Sequence, residues 1–139
     1  DVEAGCDVST GSLGQGLPIA VGMALADRSK KVYCMISDGE CSEGSIFEAL
    51  RIAQELELSN LKVILNANGW GAYKKIDRRV LLRQIEGFVK RVVEIPGDDV
   101  DSMVTFLRFE YRNPGPTLIF AHTKNDPYPD DLSAHYCKV

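Results

Sequence analysis

The apolar residues of this chain alternate between two periods, and that alternation limits the folds available to it. Short continuous apolar runs, typical of buried strands, alternate with longer segments whose apolar residues recur every three or four positions, as in helices. The runs predict strands at 31–36, 61–66, 92–95 and 116–121, and the longer segments predict helices at 17–26, 43–58, 79–91 and 99–110. Strands separated by helices indicate an α/β fold, with a doubly wound, mostly parallel sheet and helices on both faces.

Length and charge restrict the function further. The chain has 139 residues, and since a domain usually takes roughly 100–200 residues, we expect 1–139 to form a single domain. The net charge of −4 provides no basic surface for a phosphate backbone and argues against nucleic-acid binding. Every apolar run is shorter than the roughly 20 residues that a membrane span needs, so we expect no span.

The first residues and the cysteines indicate how the chain is processed and in which compartment it is located. The chain begins at Asp1 rather than at a Met, and its acidic first residues do not form a secretory signal, so we expect it to be incomplete at its N-terminus. None of the four cysteines (Cys6, Cys34, Cys41 and Cys137) stands in a CxxC pair. That spacing favours reduced thiols and a cytoplasmic protein over disulfides or a zinc site.

The first candidate for chemistry is the loop at 37–44, which begins with Ser37-Asp38-Gly39 directly after a predicted strand. The free amides at the start of the following helix suit an anion. A carboxylate beside an anion is unfavourable unless a cation lies between them, and Mg²⁺ or Ca²⁺ prefers such oxygen ligands. The alternative is that Asp38 and Gly39 only form a turn, with Asp38 capping the helix.

The second candidate is the loop at 66–73, which contains Asn68-Gly69-Trp70 and also follows a predicted strand. Ligands of parallel α/β sheets bind at the carboxyl ends of the strands, where both loops lie. Asp38 and Asn68 are thirty residues apart, about one strand–helix–strand unit, so we expect the loops to be neighbours. The alternative for Asn68 is a left-handed turn residue before glycine.

A third, glycine-rich segment at 9–16 precedes the first helix. It matches neither the GxGxxG dinucleotide motif nor the P-loop, and alone it is also compatible with a flexible lead-in. The order and spacing of the segments, however, resemble the thiamine diphosphate-binding domain of transketolase. The segments that carry the resemblance are 9–16, 19–24, 37–44, 48–49 and 68–69, and 95–99 and 115–119 resemble the end of that domain, so nearly the whole chain is covered.

The resemblance implies a cofactor and its ligands. Thiamine diphosphate would be anchored through Mg²⁺, held by Asp38, Asn68 and the backbone carbonyl of Trp70. With two diphosphate oxygens and a water, this set makes the six-coordinate geometry that Mg²⁺ requires. The other implied contacts are the backbone amides of Gly39 and Glu40 on the diphosphate, Gly11, Ser12 and Leu13 along the aminopyrimidine and thiazolium rings, and His135 on the diphosphate. His122, at the end of a strand, is interpreted as structural.

The sequence departs from the family pattern in two respects. Ser37 stands where the family motif has glycine, and its side chain could crowd the diphosphate, which bears on cofactor affinity. The pyrimidine-binding domain, whose glutamate activates the cofactor, has no counterpart here. The resemblance therefore implies an oligomer in which another domain or another chain is the partner. Only the assembly would transfer two-carbon ketol units between sugar phosphates, and no catalytic residue of this chain is identified.

Three alternatives stay open. Two lie within the same fold: the alpha component of a 2-oxoacid dehydrogenase, which Asn68-Gly69-Trp70 suits, and a deoxyxylulose-phosphate-synthase-like component. The segment 11–16 favours transketolase over both. The third is a truncated, non-catalytic relic that serves as a binding module. Under the transketolase interpretation we expect the isolated chain to be inactive.

Overall fold

Strands and helices alternate in the computed structural model, which describes residue 3 and residues 5–71, 74–109 and 114–124. The elements are α1 (Gly16–Ala26), β1 (Val32–Ser37), a single 3₁₀ turn (Glu40–Ser42), α2 (Gly44–Glu55), β2 (Leu61–Ala67), α3 (Arg78–Glu86), β3 (Arg91–Pro96), α4 (Val100–Arg108) and β4 (Thr117–His122). Across these ranges, no helix combines the length and apolarity needed to cross a membrane.

The strands form one sheet in the order β1-β2-β4-β3, and every pair is parallel. The chain moves from β1 to β2 through α2 and from β2 to the far edge through α3, then returns to the interior position through α4. The reversal of direction places α4 on the opposite face of the sheet from α2 and α3, because parallel crossovers keep one hand. The predicted α/β fold with helices on both faces is confirmed.

The two faces of the sheet are covered unequally. On one face, α1, α2 and α3 bury the larger core, with Ile36, Leu65 and Phe120 from the strands. On the other face, α4 packs Met103, Phe106 and Leu107 against a smaller cluster built on Ile64, Ile95, Ile119 and Ala121. The carboxyl ends of all strands meet at one edge, which positions the loops that follow them.

Two predicted helices end earlier than their apolar pattern indicates. Prediction extends the second helix to residue 58, but α2 ends at Glu55 because Glu57 is left-handed (φ +52°) and turns the chain, with the Leu58 amide donating to the Ala53 carbonyl. The third helix is predicted to reach residue 91, but α3 ends at Glu86. Gly87 follows directly, and glycine weakens a helix interior.

Lys62 on β2 is a buried cation that ties α4 to the sheet. Only 6% of Lys62 is exposed, and its Nζ donates to the carbonyls of Phe106, Leu107 and Phe109 at the C-terminal end of α4, with a distance of 2.8 Å to Phe109. A cation complements the unpaired carbonyls of a helix end. The buried charge is thereby compensated, and α4 is fixed over its half of the sheet.

Candidate functional site

The loops that follow β1 and β2 meet at the carboxyl edge of the sheet. Ser37 pairs with Asn66 in the parallel register, and the Asp38 amide donates to the Asn66 carbonyl at 3.1 Å. Beyond the strands, the Gly69 amide donates to Asp38 Oδ2 at 2.6 Å. The prediction that these loops are neighbours is therefore confirmed.

Asp38 is the most unusual side chain at this edge. Only 1% of it is exposed, and while Oδ2 accepts the Gly69 amide, the buried Oδ1 accepts no hydrogen bond from the residues that the structure describes. Burial raises the pKa of Asp38 above its ordinary value, and backbone N–H groups, chiefly that of Gly69, offset part of this rise. A buried carboxylate oxygen without a partner is unfavourable. A cation on Oδ1 would remove that penalty.

Asn68 and Trp70 form a tight turn beside Asp38. Asn68 Oδ1 accepts the Trp70 amide at 2.8 Å, and Gly69 between them is left-handed (φ +84°). The alternative prediction of a left-handed Asn68 is wrong, since glycine takes that conformation instead. The amide oxygen keeps a second lone pair, and the Trp70 carbonyl oxygen lies 3.9 Å from where a Cβ on Gly39 would be.

These oxygens fit a hard cation. The corner combines an unpartnered carboxylate oxygen with a side-chain amide oxygen and a backbone carbonyl, which are donors that Mg²⁺ and Ca²⁺ take. Within the described part of the chain, no three His, Cys, Asp or Glu side chains cluster as a metal cage. A cation here would therefore complete its shell with water and with oxygens of a ligand.

Glu40 fastens the glycine-rich segment to this corner. Its Oε1 accepts the Gly14 amide at 3.0 Å and its Oε2 accepts the Ser37 amide at 3.1 Å, which joins the start of α1 to the end of β1. Gly14 is left-handed (φ +79°), and a Cβ there would lie 2.5 Å from Ser45 Oγ, so only glycine fits. The predicted contact residues 11–13 are exposed and directly precede this anchor.

Ser37 uses its hydroxyl within the loop. Ser37 Oγ accepts the Glu40 amide at 3.2 Å, so the amide that the resemblance assigns to the diphosphate is engaged in this structure. Gly39 has an ordinary right-handed conformation, and a Cβ there would lie 3.5 Å from Gly71 Cα. The missing side chain at Gly39 leaves space between the two loops.

A cavity of about 340 Å³ opens beside Asp38. The 3₁₀ turn forms one wall with Cys41 and Ser42, and residues 74–77 together with α3 form the other. Lys74 and Lys75, which also line this cavity, are not among the site residues predicted from the sequence. The available signal was a pair of adjacent lysines shortly after the Asn68 loop.

A larger cavity, about 740 Å³, lies at the ends of β3 and β4, lined among others by Arg78, Glu94 and His122. His122 Nε2 lies 2.7 Å from Glu94 Oε2, and the imidazole centroid is 5.0 Å from that of Phe120. His122 thus packs and pairs within the fold at this second corner. The other predicted histidine, His135, lies outside the described residues, as does Cys137.

The cysteines near the site are poor nucleophiles. Cys34 and Cys41 are buried and form no disulfide within the described part of the chain. Burial, together with the charge of Glu40, raises the pKa of Cys34 to about 11. Burial, together with the charges of Asp38 and Glu40, raises the pKa of Cys41 to about 12. The thiolate is the reactive form, so Cys41 stays protonated and unreactive near neutral pH.

Comparison with known proteins agrees with this geometry. Residues 1–78 match the family profile described as "Transketolase, thiamine diphosphate binding domain". One of the subunits of the apulose-4-phosphate transketolase of Phocaeicola vulgatus is 34% identical over 128 residues, covering 86% of this chain and 46% of that protein. Human transketolase is 36% identical over 130 residues, covering 87% of this chain and 20% of that protein.

Solved structures show the same fold. The crystal structure of transketolase from Campylobacter jejuni superposes with a TM-score of 0.72 at 28% identity, covering 85% of this chain and 21% of that chain. The chain thus spans about half the length of the apulose-4-phosphate transketolase relative and about a fifth of the longer transketolases. From the profile match and these likenesses, the chain belongs to the transketolase family, within its thiamine diphosphate-binding domain.

Proposed function

We propose that this chain anchors the diphosphate of thiamine diphosphate, through Mg²⁺, in a transketolase-type enzyme. The observation that carries the proposal is Asp38: a buried carboxylate at the carboxyl edge of the sheet, with one oxygen unpartnered and the other bonded to the Gly69 amide between Asn68 and Trp70. The family match supplies the identity of the cofactor. The fit of the oxygen donors to a hard cation supports the metal.

The residues have distinct roles in this proposal. Asp38, Asn68 and the Trp70 carbonyl hold the metal. The missing side chain at Gly39 lets the diphosphate approach the backbone, and Glu40 holds the glycine-rich segment in place. The remaining contacts are those of Gly11, Ser12 and Leu13 along the rings, the Glu40 amide, and His135 on the diphosphate. When bound, thiamine diphosphate supplies the carbanion-stabilising chemistry, and this chain supplies binding and orientation.

The whole enzyme, in this proposal, transfers two-carbon ketol units between sugar phosphates. A pyrimidine-binding domain, in the same or another chain, completes the site in an oligomer, and residues 1–139 provide its diphosphate half. Two relatives are each named as one of the subunits of an apulose-4-phosphate transketolase, and this chain covers about half of each, which supports a partner of this kind. The isolated 139-residue chain is expected to show no ketol transfer.

The transketolase relatives favour this proposal over the 2-oxoacid dehydrogenase and deoxyxylulose-phosphate-synthase alternatives. The relic alternative is separated by a binding experiment. Isothermal titration of the chain with thiamine diphosphate is expected to show binding that requires Mg²⁺ and disappears with EDTA. Asp38→Asn should greatly weaken this Mg²⁺-dependent binding, whereas Asp27→Asn, at a surface carboxylate that bonds Ser29, should not change it. Absence of binding at millimolar ligand would favour the relic.

A further inference from the structure

We propose that Lys74 and Lys75 form a cationic arm that binds the phosphate groups of the ligand whose metal Asp38 holds. This inference rests on the proposed function and adds a binding element to it. Neither lysine belongs to the motifs that identify the family in this sequence, and the tertiary structure places both in the wall of the Asp38 cavity.

Lys74 and Lys75 are tied to the loop at 69–71 by antiparallel backbone contacts. The Gly71 amide donates to the Lys74 carbonyl at 2.9 Å, and the Ile76 amide donates to the Gly69 carbonyl at 2.8 Å. Trp70 and Lys75 face each other as an antiparallel bridge. The Gly69 amide also donates to Asp38 Oδ2. Hydrogen bonds therefore connect the backbone of the two lysines to the Asp38 carboxylate and fix their relative positions.

The charges at this cavity are unbalanced. Asp38 is buried, and the neighbouring carboxylate, Asp77, accepts the amides of Arg79 and Val80 as the cap of α3. Among the described residues, no carboxylate oxygen lies within 4 Å of the ammonium group of either exposed lysine. Two cations on the wall, with a divalent metal on Asp38, leave an excess of positive charge. That excess suits a multiply charged anion such as a diphosphate.

Lys75 is also held over an aromatic ring. Its Nζ lies 5.0 Å from the centroid of the Trp70 ring. A cation over an indole face is stabilised without a carboxylate partner, so the ammonium is kept beside the cavity while its charge remains available. Trp70 is the single tryptophan of the sequence, and its emission will respond when a ligand draws Lys75 from the ring.

The test uses the full 139-residue chain and three probes: thiamine diphosphate with Mg²⁺, inorganic pyrophosphate with Mg²⁺, and unphosphorylated thiamine. Binding is followed by Trp70 emission and by calorimetry at several salt concentrations. The test variant is Lys74→Gln/Lys75→Gln. The matched control is Arg83→Gln/Lys90→Gln, which removes the same charge at exposed positions outside the cavity lining.

The expected result is a weakening of both phosphate-bearing probes by about tenfold or more in the test variant, with a shallower salt dependence, because charge-assisted phosphate contacts are lost. The control should stay within about twofold, since distant exposed charges are screened. Lys74→Arg/Lys75→Arg should retain most of the affinity. Circular dichroism checks that each variant is folded.

The outcomes separate this inference from the proposed function. If the unaltered chain fails to bind thiamine diphosphate with Mg²⁺, the proposed function fails. If it binds and the double glutamine variant binds equally well, only the lysine arm is refuted. Equal losses in the control variant, or loss in the arginine variant, would also refute it, because the effect would not then depend on charge at these two positions.

Discussion

Polar side chains line two cavities at the carboxyl edge of the sheet, one at the ends of β3 and β4 and the other at the ends of β1 and β2. The two cavities differ in whether the carboxylate oxygens that line them have hydrogen-bond partners. At the ends of β3 and β4, the carboxylates that line a cavity of about 740 Å³ already have partners: Glu94 with His122, Asp98 with the Lys124 amide, and Asp99 with Ser102. At the ends of β1 and β2, a cavity of about 340 Å³ contains the unpartnered Oδ1 of Asp38. The uncompensated atom, rather than the cavity size, indicates where a ligand is required.

The largest effect is expected from Asp38→Asn. Loss of the anionic ligand should weaken Mg²⁺-dependent thiamine diphosphate binding by about 100-fold or more, while the unliganded chain gains roughly 1 kcal/mol of unfolding free energy because a buried charge is removed. Calorimetry and urea unfolding measure the two effects. Unchanged affinity would contradict the conclusion that the unpartnered Asp38 oxygen indicates the ligand site.

The same residue makes stability depend on pH in a defined direction. Burial raises the folded pKa of Asp38 above its ordinary 3.8, so the folded chain binds more protons than the unfolded chain between those two values. Its contribution to the unfolding free energy therefore improves as pH falls through the folded pKa, and Asp38→Asn should remove that part of the pH dependence. Urea unfolding of both proteins across the acidic range measures the difference.

Lys62→Met should weaken the attachment of α4 to the sheet. The substitution leaves the carbonyls of Phe106, Leu107 and Phe109 without their ammonium partner, and we expect a loss of about 2 kcal/mol of unfolding free energy. Thiamine diphosphate affinity at saturating Mg²⁺ should stay within about twofold, since Lys62 lies outside both cavity linings. A matching loss of affinity would show that the attachment of α4 and the cofactor site are coupled.

Ser37→Gly tests whether the Ser37 hydroxyl weakens cofactor binding by engaging the Glu40 amide. Removing the hydroxyl frees the Glu40 amide, and we expect about threefold tighter binding of Mg²⁺–thiamine diphosphate, about 0.6 kcal/mol. Ser37→Ala removes the same hydroxyl without adding backbone freedom. Tighter binding in the glycine variant but not in the alanine variant would assign the gain to the backbone.

Glu94→Gln should have the smallest effect. The Glu94–His122 pair is partly exposed, with 53% of the Glu94 side chain accessible, and such pairs contribute about 0–1 kcal/mol. Unfolding free energy should fall by less than about 1 kcal/mol, and thiamine diphosphate affinity should not change measurably. A tenfold loss of affinity would place the β3–β4 corner within the cofactor site.

Much of the fold followed from local patterns. The strand predictions agree with β1 to β4 within one or two residues, because continuous apolar runs report burial on both faces of a parallel sheet. The C-terminal ends of α2 and α3 could not be predicted from these patterns. Leu56 and Leu58 continue the apolar pattern past the end of α2, where Glu57 turns the chain, and Phe88 continues it past Gly87 at the end of α3. These three residues lie outside the helices, so periodicity extended both helices too far.

The candidate site divides in the same way. The types and spacing of Asp38 and Asn68 predicted that two oxygen-bearing loops meet at one edge of the sheet, and the resemblance to the transketolase family added the Trp70 carbonyl. The structure brings the two loops together. The Ser37 contact to the Glu40 amide and the place of Lys74 and Lys75 in the cavity wall were not predictable. Both depend on how the loops are positioned in the folded chain, and the periodicity of apolar residues does not predict loop positions.

By itself, the sequence determined the elements, the parallel α/β class and the family, because each depends on local composition and on the order of motifs. The tertiary structure decided that β4 lies between β2 and β3 and that the Lys62 ammonium donates to carbonyls at the C-terminal end of α4. It also decided that the Gly69 amide donates to Asp38 Oδ2 while Oδ1 stays unpartnered. The Lys62 and Asp38 contacts join residues 31 or more positions apart. The free energy of such contacts depends on burial and geometry that only the folded chain defines.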